Sequence, residues 1–278
     1  MYTSKKSSLK ILAITAGIIG LFLILATPFI VQTSLTRVLV ELNKVVAEKP
    51  QYTSGLLIFN LFYPIWQALS FIAGISLLII IPGILKGEKW VFPTQLFLYA
   101  IPSVGGMFMF LPYVSWVHGF PLPMVISWAG LAGFWIVIFM QDADLMQKVT
   151  DFMVLTFAGM LATHAFVIGI GSQRQLMTRA AKPLYKGFPT YVLTLVGEVN
   201  WIGVLLLFAA IFYLAKRSKT GWYLALISAV SILVVDAPTQ FIRTKTLDYL
   251  YGSLLAIGLL FFILVPMFKD RIYNHKES

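Results

Sequence analysis

The chain has 278 residues, of which 59% are hydrophobic and 12% are charged, and its formal net charge is +10. Soluble globular domains have about 25% charged residues, whereas a helix that crosses a membrane needs roughly 20 mostly apolar residues. The composition therefore predicts an all-α polytopic membrane protein and argues against a nucleic-acid partner. The absence of cysteine excludes disulfides, thiol catalysis and cysteine metal ligands.

The first apolar run, from Ile11 to Val31, follows Lys5, Lys6 and Lys10. Because the run is longer than the ~7 to 15 residues of a signal-peptide core, we predict that it is an uncleaved first span. From residue 34 to residue 48, leucine and valine recur at helical spacing with polar residues between them. This pattern predicts an interfacial amphipathic helix after span one. The alternative is that the first span continues above the bilayer.

Eight transmembrane helices are predicted, at about residues 11–31, 56–85, 90–116, 124–140, 152–171, 190–213, 222–235 and 249–268. The predicted organisation is a tail at residues 1–10, a four-helix half at 11–140, an acidic loop at 141–150, a second four-helix half at 151–268 and a tail at 269–278. Lys49-Pro50-Gln51-Tyr52 in the first long loop is similar to Lys182-Pro183-Leu184-Tyr185 in the second. The halves are therefore predicted to be parallel repeats.

The distribution of basic residues predicts the orientation of the spans. With both termini inside, twelve lysines and arginines lie on the cytoplasmic side and nine on the outer side. Cytoplasmic loops carry the excess of lysine and arginine in most membrane proteins. A multi-pass protein of the plasma membrane with both termini in the cytoplasm is therefore expected.

Polar residues form stripes on two of the predicted spans. Asn60 and Gln67 share one side of the second span, and Tyr99 and Ser103 share one side of the third. Such stripes either line a polar cavity in the bundle or form helix contacts worth about 0.6 kcal/mol or somewhat more each. Both interpretations stay open at this point.

His164 lies deep in the fifth predicted span. A membrane haem normally has two axial ligands, and no second histidine lies at that depth in any predicted span. The same argument disfavours a metal site made of histidines. We therefore predict no cofactor and no metal, and a hydrogen-bonded role for His164 inside the bundle.

Glu198 is the carboxyl group that the predicted boundaries place in the middle of a span. Thr190, Thr194 and Glu198 are spaced by four and share one side of a helix. A charge at mid-bilayer costs on the order of 3 kcal/mol, so Glu198 is predicted to face the interior of the bundle. Its expected partners are the polar residues of the other spans: Asn60, Gln67, Tyr99, Ser103 and His164.

The second long loop, from Ser172 to Pro189, is basic and has no acidic residue. Its charged side chains are Arg174, Arg179, Lys182 and Lys186. They are predicted to contact anionic lipid headgroups or an anionic small-molecule ligand. The alternative is that they are simply solvated.

The sequence does not decide between several classes of function, because it has no nucleotide-binding glycine loop, zinc motif or nucleophile motif in the structural context that such a motif needs. One hypothesis is a carrier or channel with a polar cavity around Glu198. Another is a noncatalytic anchoring or assembly subunit of a larger membrane complex, such as a respiratory one, which would have a membrane-protein partner. A third is an enzyme for a lipid-like substrate, with His164, Glu198 or Asp236 as acid or base.

Overall fold

The computed structural model describes residues 6–179, 188–243 and 246–273. Within these ranges the chain forms α-helices and one 3-10 turn, and it forms no strand. The helices are α1 (Lys6–Leu25), α2 (Thr27–Glu48), α3 (Thr53–Ile79), α4 (Ile81–Lys86), α5 (Val91–Trp116), α6 (Pro123–Met140), α7 (Leu145–Arg179), α8 (Phe188–Ala215), α9 (Lys219–Ile242), α10 (Asp248–Leu264) and α11 (Pro266–Ile272). The predicted all-α architecture is confirmed.

Seven of the described helices are long and apolar enough to cross a membrane: α1, α3, α5, α6, α7, α8 and α9. An eighth crossing results if α10 and α11, which are bent by 76° relative to each other, are taken as one broken span. α10 is about 25 Å long at 1.5 Å per residue, slightly less than a hydrocarbon core of about 30 Å. The protein is thus a polytopic membrane protein with seven or eight crossings.

α2 is amphipathic, as predicted, but its apolar side packs against other helices. Val31, Leu35, Val38 and Leu42 are buried, and α2 contacts α3 and α5. Gly20 of α1 packs on Gly74 of α3, whereas Leu42 of α2 packs on Gly55, near the opposite end of α3. α2 therefore continues α1 antiparallel to α3, which favours the alternative of an extended first span over a helix lying flat on the membrane.

The two predicted halves close into rings with the same neighbour order. In the first half, α1 packs on α3, α3 on α5, α5 on α6 and α6 on α1. In the second half, α7 packs on α8, α8 on α9, α9 on α10 and α10 on α7. This order agrees with an internal repeat of four spans, and the repeat itself stays a prediction.

Aromatic side chains fill the space between the two four-helix halves. Phe62 and Trp66 of α3, Phe108 of α5 and Phe166 of α7 form edge-to-face pairs, with ring centroids 5.0 to 5.3 Å from that of Phe166. Phe208 of α8 packs against Trp66. Such pairs contribute about 0.5–1.5 kcal/mol each beyond their buried area. The junction between the halves is therefore a packed apolar layer.

The acidic residues just before α7 and in its first turns pair with two arginines from later in the chain, Arg217 and Arg271. Arg217 donates two hydrogen bonds to Asp151, whose side chain is only 5% exposed. Gln141 and Gln147 also donate to Asp151. Arg271 of α11 pairs with Asp144 at 2.9 Å. Asp144, in the predicted acidic loop, therefore holds α11, and Asp151, in the first turns of α7, holds the turn after α8.

Candidate functional site

Asp236 is a carboxyl group with no exposed surface, and it lies inside α9. The predicted end of this span at Val235 is wrong, because α9 continues to Ile242. It continues through Pro238, which lacks a backbone donor. The hydroxyl of Thr239 donates to the carbonyl of Val235 at 2.6 Å, so a carbonyl in the preceding turn gains an additional partner. A buried acid thus stands where a loop was expected.

The partner of Asp236 is Asn200 of α8, which is also fully buried. Asn200 Nδ2 donates to Asp236 Oδ1 at 2.8 Å and to the carbonyl of Val196 at 2.8 Å. Within the described residues, Asp236 Oδ2 and Asn200 Oδ1 have no hydrogen-bond partner. A carboxyl group in a span is a candidate functional group, because its charged form is costly there unless it is paired or hydrated.

Gly252 of α10 brings Asp236 close to His164 of α7. A Cβ atom at Gly252 would overlap Asp236 Oδ2 and would lie 3.2 Å from His164 Cδ2. Only a residue without a side chain therefore allows α10 to approach both groups. His164 Nε2 is 2.6 Å from the backbone carbonyl of Asp248, one turn earlier in α10. Residues from four helices thus converge: His164, Asn200, Asp236 and Gly252.

His164 also lines a cavity of about 310 Å³ between α5, α6, α7 and α10, which we call the lateral cavity. Its wall is mostly apolar, with Val104, Phe134 and Leu155 among its residues. Leu111 and Met160, which also line it, are exposed on the surface of the bundle. The lateral cavity therefore extends to a part of the surface that faces lipid, and its volume lies at the lower end of the range of small-molecule sites.

Four hydroxyl groups lie on the wall of the lateral cavity: Ser103, Ser127, Thr156 and Thr163. Ser103 donates to the carbonyl of Tyr99, Ser127 to that of Ser103, and Thr163 to that of Gly159. Thr156 accepts a hydrogen bond from the indole of Trp135 at 3.2 Å. The wall thus has few polar groups, and most of their hydrogens are already directed at protein atoms.

Of the residues predicted for a polar cavity, Ser103 of α5 and His164 of α7 both line the lateral cavity. Tyr99 is buried and packs on Gly133, away from the lateral cavity wall. Asn60 and Thr194 are exposed, and each donates to a carbonyl of its own helix. Gln67 is half-buried. The polar cavity is therefore not assembled from the predicted set.

Glu198 is exposed, so the prediction that it faces the interior is wrong. It accepts a hydrogen bond from Gln173 of α7 at 2.5 Å. From the Asp151–Arg217 pair, Gln173 lies about 33 Å along α7 and Glu198 about 28 Å along α8, at 1.5 Å per residue. These lengths match a hydrocarbon core of about 30 Å. Glu198 thus lies about one core thickness away from the Asp151–Arg217 pair, toward the opposite end of the bundle.

Of the predicted basic contacts, the structure describes the side chain of Arg174. Its guanidinium lies 5.6 Å from the centroid of the Phe59 ring, a cation–π contact between α7 and α3. The side chain of Arg179 and the residues Lys182 and Lys186 lie outside the described residues. Contact of these four residues with an anionic lipid or ligand stays a prediction.

Among the described residues, no group of three or more histidine, aspartate or glutamate side chains is arranged to hold a metal ion. Comparisons with protein-family models, curated proteins and solved structures find no match to this chain. The site must therefore be interpreted from its own chemistry: an apolar cavity with a histidine on its wall and a buried aspartate next to that histidine.

Proposed function

We propose that this integral membrane protein binds an apolar, membrane-soluble molecule in the lateral cavity, as a carrier or binding protein for a lipid-like compound. One observation carries the proposal: the lateral cavity extends from the lipid-facing surface at Met160 to the imidazole of His164. Sites for small molecules are mostly apolar, with a few polar groups that fix the orientation of the ligand. A lipid-like molecule would place its chain along the apolar wall and its polar end near His164.

The packing of the bundle supports entry from the lipid rather than an aqueous channel. Rings of Phe62, Trp66, Phe108, Phe166 and Phe208 occupy the junction of the two halves. A water-filled path would need polar walls and space for hydration along the membrane normal. The polar residues predicted for such a path, including Glu198 and Asn60, lie on the exposed side of their helices.

The experiment uses a diazirine-bearing dodecyl alcohol, photolysed with the protein in liposomes and mapped by mass spectrometry. Labelling is expected on cavity residues such as Met107 and Met160. Gly159→Leu should reduce this labelling, because Gly159 lines the cavity and a Cβ atom there would have no neighbour within 4 Å, which leaves room for a side chain to enter the cavity. The matched control is Gly171→Leu, an equally unobstructed site on α7 that does not line the lateral cavity. Equal labelling in wild type and Gly159→Leu would refute the proposal.

A second candidate, a subunit of a larger membrane complex, is favoured by the exposed side of α8. Tyr191, Thr194 and Glu198 lie together there, and polar groups on adjacent helices form interhelical hydrogen bonds in membranes. A photoreactive amino acid at Tyr191 would crosslink a partner subunit in intact membranes. Crosslinking to lipid alone would exclude this candidate at that surface.

A further inference from the structure

The polar groups around the lateral cavity differ in what they can offer a bound molecule. Three of its four hydroxyls, those of Ser103, Ser127 and Thr163, already donate their hydrogen to backbone carbonyls. A hydroxyl has one hydrogen and two acceptor lone pairs. These three groups can therefore still accept a hydrogen bond from a ligand, but they cannot donate one without losing a bond inside the protein.

His164, like these three hydroxyls, can accept a hydrogen bond from a ligand but cannot donate one without losing a bond inside the protein. Its Nε2 lies 2.6 Å from the carbonyl oxygen of Asp248, and a carbonyl oxygen only accepts hydrogen bonds. In the neutral imidazole, Nε2 therefore carries the hydrogen and Nδ1 is an acceptor. No hydrogen bond joins Nδ1 to another group in the described part of the chain. His164 thus adds a second kind of acceptor to the wall.

Charge also restricts the ligand. The residues that line the lateral cavity include no lysine or arginine. A Cβ atom at Gly252 would touch both Asp236 Oδ2 and His164 Cδ2, so the carboxyl group of Asp236 lies close to the imidazole of His164. An anionic headgroup at His164 would meet no cation on the wall and would lie near a second acid, which is unfavourable in a medium of low dielectric constant.

From this pattern of acceptors we infer that the ligand is a neutral molecule with a hydroxyl donor, an alcohol or a phenol with an apolar body, and that its hydroxyl donates to Nδ1 of His164. This inference rests on the proposed binding in the lateral cavity and adds the class of headgroup. An ionised carboxylate, a phosphodiester or an ether has no hydrogen that it could donate to Nδ1 of His164.

The test compares two competitors that differ in this donor: dodecan-1-ol and its methyl ether. Each competes with the diazirine-bearing dodecyl alcohol for photolabelling of the full chain in liposomes, with both competitors quantified in the membrane phase. The alcohol is expected to compete at a concentration roughly three- to ten-fold lower than the ether, which is the net worth of one hydrogen bond. His164→Leu should remove this difference by weakening the alcohol and leaving the ether unchanged.

The outcomes separate the two proposals. Equal competition by alcohol and ether in the wild-type protein would overturn the inference about the headgroup and leave binding in the lateral cavity intact. A difference that persists in His164→Leu would overturn the assignment to His164. Absence of competition by either compound would refute the proposed function itself. Because the wild-type comparison decides the headgroup, the inference stays falsifiable if His164→Leu does not fold.

Discussion

Asn200 donates a hydrogen bond to Asp236 across the contact between α8 and α9, and neither side chain has any exposed surface. The bond measures 2.8 Å, and it is accompanied by a second donation from Asn200 to the carbonyl of Val196. This pair links two helices deep in the second half of the bundle. A substitution at either residue therefore leaves the other buried side chain without this hydrogen bond.

Asn200→Leu is expected to lower the free energy of unfolding by about 1–3 kcal/mol, because it leaves Asp236 buried without its donor. The double variant Asn200→Leu with Asp236→Leu should recover most of that loss, since two apolar groups replace the pair. Thermal unfolding in detergent measures both effects. The control is Thr194→Leu, an exposed position on the same helix, for which a change within about 0.5 kcal/mol is expected. A double variant less stable than Asn200→Leu would contradict the pairing.

The sequence predicts helices and membrane class well because both depend on local composition. The sequence does not identify the buried acid, because Asp236 and Pro238 together resemble a helix end. Glu198, in contrast, lies within an unbroken apolar run and is therefore wrongly predicted to be buried. One signal could have corrected this: Ala225, Ala229, Ile232 and Asp236 continue at steps of three and four, and all are buried. Which side of α8 faces the other helices depends on long-range packing, and the local sequence of α8 does not determine it.

The same distinction applies to the candidate site. The depth of His164 could be predicted from the length of the apolar run around it. Its neighbours could not, because Asp236, Gly252 and the carbonyl of Asp248 come from helices far along the chain. A glycine in an apolar run gives no indication of which side chains it admits. The lateral cavity likewise follows from packing among four helices rather than from any one segment.

Arg217→Gln should destabilise the protein by about 3–5 kcal/mol, because it leaves a buried carboxylate with amide partners only. Arg217 donates two hydrogen bonds to Asp151, and the side chains are 27% and 5% exposed respectively. Lys44→Gln is the control: Lys44 pairs with Glu41 in solvent, where an ion pair is worth about 0–1 kcal/mol. The apparent unfolding temperature in detergent checks both variants. Equal shifts for the two would show that burial of the Asp151 pair does not matter.

Asp144 provides a pH-dependent contribution to stability. Its pKa is lowered below 3.8, first by the backbone amide of Gln147 at the start of α7 and then by Arg271. A carboxyl group whose pKa is lower in the folded state stabilises the fold above its unfolded pKa and loses this effect as pH falls through the folded pKa. Stability should therefore decline with acid below a pH of about 4. Asp144→Asn should decline less over that window in unfolding scans, and an identical decline would contradict the assignment.

The orientation of the spans can be tested with cysteines, because the natural sequence has none. Lys44, near the end of α2, and Lys219, at the start of α9, are both exposed. Arg217 and α11 lie at one end of the bundle together with Asp144 and Asp151, and the positive-inside rule predicts that this end is cytoplasmic. In intact cells, an impermeant maleimide should label Lys44→Cys at once and Lys219→Cys only after permeabilisation. Labelling of both from outside would refute the span count between them, and labelling of Lys219→Cys alone would show that the bundle is inserted in the opposite orientation.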